Sequence, residues 1–347
     1  MSYYSRLQKA FEGALRLPLN NCSKYVLFSD CHRGTGTSND NFLKNQPMYT
    51  AALQHYFQTG FTYIELGDGD ELWENRNLTS IIDAHSEVFQ LLSRFYNQNR
   101  LYLLFGNHDI VKEKTAYTGR CCSTYPCCCC TNPHLENKLL FPNIKYYEGI
   151  ILENMTREHS HNSSDPCEYS RGSCNTCIHS QGPSNTREYS RDSHNACKNS
   201  AGLGTARQHT RDIFLTHGHQ ADLFNSKFWR LSRFLVRYVW KPLERYGVLD
   251  PTSAAKNYTR KRKTEEHLHD FAEQKNILLI AGHTHRPLLS EADLYYCNSG
   301  SCVHPYSITC LEIEHMQISL VKWIMTAGTD MKLYVAREVL VGPILLG

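Results

Sequence analysis

The run Leu101-Tyr-Leu-Leu-Phe-Gly-Asn-His-Asp109 joins five β-prone residues to a glycine and three polar side chains. Its first half reads as a short buried strand, because a brief apolar run closed by a turn residue suits a strand covered on both faces. Its second half places an amide, an imidazole and a carboxylate at that strand's C-terminal end. The pairing recurs outward along the chain. Tyr25-Val-Leu-Phe28 leads to Asp30-Cys-His32, and Phe61-Thr-Tyr-Ile64 to Gly67-Asp68. Ile213-Phe-Leu215 leads to His217-Gly-His219, and Ile277-Leu-Leu-Ile280 to Gly282-His-Thr-His285. Helical patterns lie between, such as Ile81 to Tyr96 with Ile82, Val88, Phe89, Leu92 and Phe95 near 3.6 spacing. Alternating strand and helix predicts an α/β fold. The later runs Tyr306 to Ile313, Ile318 to Trp323 and Leu333 to Val335 have no long helix between them, which predicts a second, antiparallel set.

Ligands of open α/β sheets bind outside the carboxyl ends of the strands, so these strand ends converge on one sheet edge. Carboxylate, imidazole and amide groups without a thiolate suit manganese, iron, zinc or magnesium. Asp30, His32, Asp68, Asn107, His217, His283 and His285 exceed what one tetrahedral ion takes. Two ions sharing a bridging carboxylate use them all. Recurrence carries the argument, since a lone motif is cheap. Asp83-Ala-His85 is also Asp-x-His, yet it sits in a helical pattern and follows no strand. His159-Ser-His161 and His267-Leu-His269 stand in polar or charged surroundings and read as solvated.

The chain has 347 residues, 41% hydrophobic, with a formal net charge of +3. That is ample apolar material for a core. It contains no apolar run long enough for a transmembrane helix. Met1 to Pro18 mixes Arg6, Lys9, Glu12 and Arg16 among its apolar residues, unlike a secretory signal. Its 15 cysteines are therefore expected in a reduced, cytoplasmic setting.

The small net charge hides uneven parts. From Asn154 to Thr210 only Ile178 and Leu203 represent Ile, Leu, Val and Phe, too few to offset chain entropy. Glu168-Tyr-Ser-Arg171 returns as Glu188-Tyr-Ser-Arg191 in the same stretch. The expected organisation is one domain from residues 1–113 and 211–347, interrupted at 114–210 by a polar, Cys-rich, largely disordered insertion. Cys174-x-x-Cys177 within it supplies half a zinc site. Residues 227–263 hold eleven basic residues against two acids and are expected to form a basic helical lid. On a helical projection Lys227, Arg230, Arg233, Arg237, Lys241 and Arg245 share one side, with Phe228, Leu231 and Tyr238 opposite. Arg230, Arg233 and Arg237 are thus candidates for holding an anionic partner: a nucleotide diphosphate, nucleic acid or, by peripheral contact, a phospholipid membrane.

The five motifs, in their order and rough spacing, resemble the calcineurin-like metallophosphoesterases over residues 24–112 and 211–323. The resemblance implies a four-layer αββα sandwich with a dinuclear metal centre. Asp30, His32 and His285 would hold one ion, Asn107, His217 and His283 the other, with Asp68 bridging. His108 would give a proton to the leaving group, Asp109 would orient its imidazole, and Arg33 would contact a phosphate oxygen. The implied reaction is hydrolysis of a phosphomonoester, phosphodiester or pyrophosphate by in-line attack of a metal-bound hydroxide. Two divalent ions are implied, manganese first, with iron, zinc or magnesium as alternatives. The continuation Asp68-x-x-Glu71-x-Trp73 is similar to the bacterial branch that includes UDP-2,3-diacylglucosamine pyrophosphatases. Those enzymes usually carry Arg where His108 stands, so the substrate stays open among phosphorylated small molecules, nucleotide-sugars and lipid head groups. A nuclease of the same superfamily, and a zinc-binding interaction protein organised around the Cys-rich insertion, are the competing readings.

Overall fold

The computed structural model describes residues 2–37, 40–114, 140–155, 211–240 and 258–346. They belong to one compact unit, Met1–Met155 with Thr210–Gly347. The repeats, Cys174-x-x-Cys177 and His159-Ser-His161 lie outside the described residues, as does 241–257 of the basic segment.

The five apolar runs form strands β2 (Lys24–Phe28), β3 (Thr62–Glu65), β4 (Leu101–Leu104), β7 (Ile213–Thr216) and β8 (Leu278–Ala281). With β1 (Leu15–Leu19), β5 (Tyr146–Tyr147), β6 (Gly149–Asn154), β9 (Tyr296–Asn298), β10 (Ser307–Glu314), β11 (Gln317–Ala327) and β12 (Leu333–Leu345) they build two sheets. One has the order β12-β11-β10-β2-β3-β4-β5 and the other β1-β6-β7-β8-β9. This corrects the expectation of a single sheet edge: β2, β3 and β4 lie in one sheet, β7 and β8 in the other. Strand-end residues alone cannot say which sheet a strand joins. The predicted antiparallel set is found, with β11 pairing both β10 and β12.

Period-2 alternation distributes each strand between two interlayer cores. Leu27, Ile64, Leu104, Ile150, Leu215 and Ile280 meet between the sheets. Val26, Phe28, Tyr63 and Leu103 face α2 (Gln46–Gln58), α3 (Leu78–Ala84) and α4 (Ser86–Asn97). Ile151, Phe214, Leu279 and Ala281 face α1 (Tyr3–Glu12) and the helix Tyr258–Lys275. The result is the four-layer helix–sheet–sheet–helix sandwich. Truncating one of these buried aliphatics to Ala costs about 2–5 kcal/mol.

Three local readings are revised. Residues 140–155 fall inside the span 114–210 set aside by composition, yet β6 pairs β1 in parallel and β7 antiparallel. Buried Ile150, Ile151 and Leu152 explain its place mid-sheet. The pattern from Ile81 to Tyr96 is two helices, broken at His85, whose imidazole is buried between Asp40 and Gln46. His267 and His269 are half-buried rather than solvated: His267 stacks on Tyr3 and His269 pairs with Asp293.

The basic segment is helical where it is described, but interrupted. Its described residues form α6 (Trp229–Leu235), a π-helical turn, Val236–Trp240, and the start of the helix Tyr258–Lys275, and α5 (Leu223–Ser226) leads into it.

Candidate metal centre

Each motif occupies the turn where its strand stops, and backbone hydrogen bonds stitch these turns together. Asp30 N–H donates to Gly67 O, His32 N–H to Asp68 O, and Gly282 N–H to His217 O. Two further bonds cross from sheet to sheet. His283 N–H donates to Asp30 Oδ2 at 2.8 Å, and His217 Nδ1–H to Leu66 O at 2.9 Å. Close approach explains two of the glycines. A Cβ on Gly106 would collide with the Asp68 carboxylate, and one on Gly282 with Ser29 and Asp30.

The turns are strained where the ligands sit. Asp30, His32, Asp68, His283 and His285 have φ of 51°, 48°, 51°, 68° and 55°. A non-glycine residue in that region costs about 1–3 kcal/mol and persists where the surroundings over-determine it, chiefly at functional sites.

The strain buys convergence. Asp30, His32 and His285 bring one ligand atom each within 4.8 Å of one another, and so do Asp68, His217 and His283. His285 Nε2 lies 3.0 Å from Asp30 Oδ1, and His217 Nε2 3.2 Å from Asp68 Oδ2. That same Asp68 oxygen is 3.8 Å from His32 Nε2, so it stands between the two groups. Asp68 Oδ1 accepts the His108 N–H, which fixes the carboxylate's orientation.

These residues fit two divalent cations. Among the described residues, Asn107 Oδ1 is buried without a hydrogen-bond partner, while Asp30 Oδ1 and His217 Nε2 are buried with another candidate ligand within reach, and each is a ligand-type atom. His217 and His32 spend Nδ1 on Leu66 O and the Glu71 carboxylate, which leaves Nε2 facing inward. The electrostatics favour positive charge. Burial opposes it, yet the Asp68 and Asp30 carboxylates push His217 up to about 9. His32 rises well above the usual imidazole value for the same reason, through Asp30 and Glu71. Asp30 and Asp68 lie well below the carboxylate range, because neighbouring imidazoles outweigh their burial. His285 falls below its ordinary value, chiefly through burial.

Residues 23–287 match the family model of the calcineurin-like phosphoesterases, a span that contains all seven of these side chains. The chain belongs to that family. No curated protein and no solved structure matches it. Members of the family are metal-dependent phosphoesterases that use a dinuclear centre, and the paired His/Asp clusters of this phosphoesterase are where such a centre belongs.

Three candidates sit differently from expectation. Asp109 does not touch the His108 ring; it is fully buried and accepts from Gly106 N, Asp68 N and Lys112 Nζ. The orienting carboxylate is Glu71, whose oxygens accept Nδ1–H from both His108 and His32 at 2.9 Å. Trp73 stacks on the His108 ring, centroids 4.2 Å apart. Asp-x-x-Glu-x-Trp was visible in the sequence, but Asp109 was adjacent and Glu71 was 37 positions away. Arg33 is 1% exposed and makes a fork to Glu65 and a bond to Asp70, so no guanidinium face remains for phosphate. Glu65, a carboxylate in an apolar strand, was the signal that a buried cation had to meet it. Arg237 donates to the carbonyls of Leu72, Trp73 and Asn75, which ties the basic segment to the loop carrying Glu71. Arg230 and Arg233 lie over the Trp229 indole.

Proposed function

We propose that this chain hydrolyses a phosphate ester whose leaving group is an alkoxide, with two manganese ions held by the seven side chains as the motifs assign them. The observation that carries the reading is the convergence of both ligand clusters on Asp68 beside a braced His108. Bound there, two cations would supply the charge that neutralises phosphoryl oxygens and makes hydroxide available near neutral pH. The protein's own part would be to hold them and to deliver a proton. His108 suits that second task. Burial lowers its pKa, but Glu71 and Asp68 raise it above the ordinary imidazole value, which favours the protonated ring. With Nδ1–H donated to Glu71, the other nitrogen, Nε2, is the one left to give its proton to a departing oxygen. Trp73 fixes the ring plane.

A proton donor of this kind matters most for a poor leaving group. An alkoxide needs the proton, whereas the phosphate expelled from a pyrophosphate departs as a stabilised anion. This favours a phosphomonoester or phosphodiester. Asp68-x-x-Glu71-x-Trp73 supports the second reading, a nucleotide-sugar pyrophosphatase of the bacterial branch. A manganese-supplemented screen of alkyl monoesters, diesters and nucleotide-sugar pyrophosphates separates them. Turnover of alkyl esters supports the first reading, and turnover of pyrophosphates alone rejects it. The donor set contains no thiolate, and the described cysteines, Cys22, Cys31, Cys297, Cys302 and Cys310, are free thiols, which suits a reducing compartment.

A further inference from the structure

The basic segment's apolar side does not face the core. Leu223, Phe224, Phe228, Leu231, Phe234 and Tyr238 are each between 41% and 54% exposed. An ordinary amphipathic helix buries that side and solvates its charges. Here Ser232 and Val236 take the buried positions of α6 and its π-turn, while the large apolar residues point outward. Phe234 and Tyr238 pack on each other, centroids 5.0 Å apart, and form a ridge. Exposed Lys227 and Arg230 lie among them, and no acid occurs from Leu223 to Trp240.

We propose that this ridge docks the enzyme onto an anionic phospholipid bilayer. Apolar side chains that enter the acyl boundary beside lysine and arginine at head-group level are the chemistry of interfacial helices. Charge complementarity selects an anionic surface over a neutral one. Leu223 and Leu231 argue against a nucleic-acid strand, which offers aliphatic groups nothing to bury.

The ridge is also continuous with the metal centre. Asp222 caps α5, and Asn225 Nδ2 lies 3.4 Å from His283 Nε2. At the other end Arg237 and Arg76, the latter bonded to Tyr238 OH, clamp the segment to the Glu71–Trp73 loop. Docking therefore brings the cluster to the bilayer surface, where a phosphorylated amphiphile would meet it. This inference does not depend on which ester is cleaved.

The test uses the full-length, metal-loaded chain with vesicles of phosphatidylcholine alone or mixed with phosphatidylglycerol, read by flotation. Binding is expected to the anionic vesicles, weaker at high salt, and at least about tenfold tighter than to neutral ones. Leu231→Asp with Phe234→Asp should reduce that binding at least about tenfold and leave turnover of a soluble nitrophenyl phosphoester unchanged. Leu231→Ala with Phe234→Ala gives the same reading without added charge. Any of the following results overturns the proposal. They are no binding to anionic vesicles, binding that ignores both double variants, and capture of single-stranded DNA in place of vesicles. A dimer that these variants dissociate, without vesicle binding, would assign the ridge to a second copy and overturn it as well.

Discussion

Glu71→Gln isolates the dyad that the site places beside the metal ligands. The Glu71 carboxylate accepts Nδ1–H from His32 and from His108, and its Oε1 also accepts the Trp73 and Glu74 N–H groups. Glutamine offers one carbonyl oxygen, so one imidazole loses its acceptor and meets an amide N–H. A hydrogen bond to a charged group is worth about 1.5–3 kcal/mol, which corresponds to about 10–100-fold in kcat. The sign of the pH effect follows from the same carboxylate. His108 must carry a proton to act as an acid, so kcat falls as pH rises through its pKa. Glu71 heads the charges that raise that pKa, so the fall moves to lower pH in the variant. The assay is kcat against pH for an alkyl phosphoester and a nitrophenyl ester, with metal content measured in parallel. The alkyl ester should lose the most, because nitrophenolate departs without a proton. Equal losses for both esters, or an unmoved alkaline limb, would refute the assignment of His108 as the acid.

Other consequences follow from the packing. Gly106→Ala drives a methyl into the Asp68 carboxylate and its backbone nitrogen, so metal analysis of the soluble variant should find both ions lost. Lys112 is buried and joins Asp70 to Asp109 at 2.7 and 2.8 Å, and it titrates well above an ordinary lysine, because those carboxylates outweigh its burial. Lys112→Met should cost about 3–5 kcal/mol in urea denaturation. Asp70 is held down at about 2, its burial outweighed by Arg33 and Lys112. With an unfolded value near ~3.9, its contribution is present above about pH 4 and lost as pH falls through about 2. Urea titrations across that window should show the loss in the metal-free protein, and a flat stability would contradict it.

The parts legible in the sequence were those fixed by local contrast. An apolar run ending in glycine, histidine or aspartate marks both the strand and the turn that follows it, and Asp30, His32, Asp68, His217, His283 and His285 fell together as read. Cys31 likewise proved a packed core residue. What stayed hidden depends on partners remote along the chain. Edge strand β1 carries Pro18, which an interior strand rarely tolerates. Strand β6 is six residues long and ends where the polar stretch from Asn154 begins. Nothing local divides the five motif strands between two sheets. Arg33 and Arg237 were read as free cations, although a buried carboxylate and three loop carbonyls consume them. A single charged side chain does not announce whether it will face solvent or a counter-charge across the fold.

The central claim is that Asp68 stands between two metal ions, and anomalous diffraction from manganese-soaked crystals tests it most directly. Two peaks about 3.5–4 Å apart, one beside Asp30, His32 and His285 and the other beside Asn107, His217 and His283, are the predicted result. A single peak, or two peaks that share no Asp68 oxygen, would contradict it.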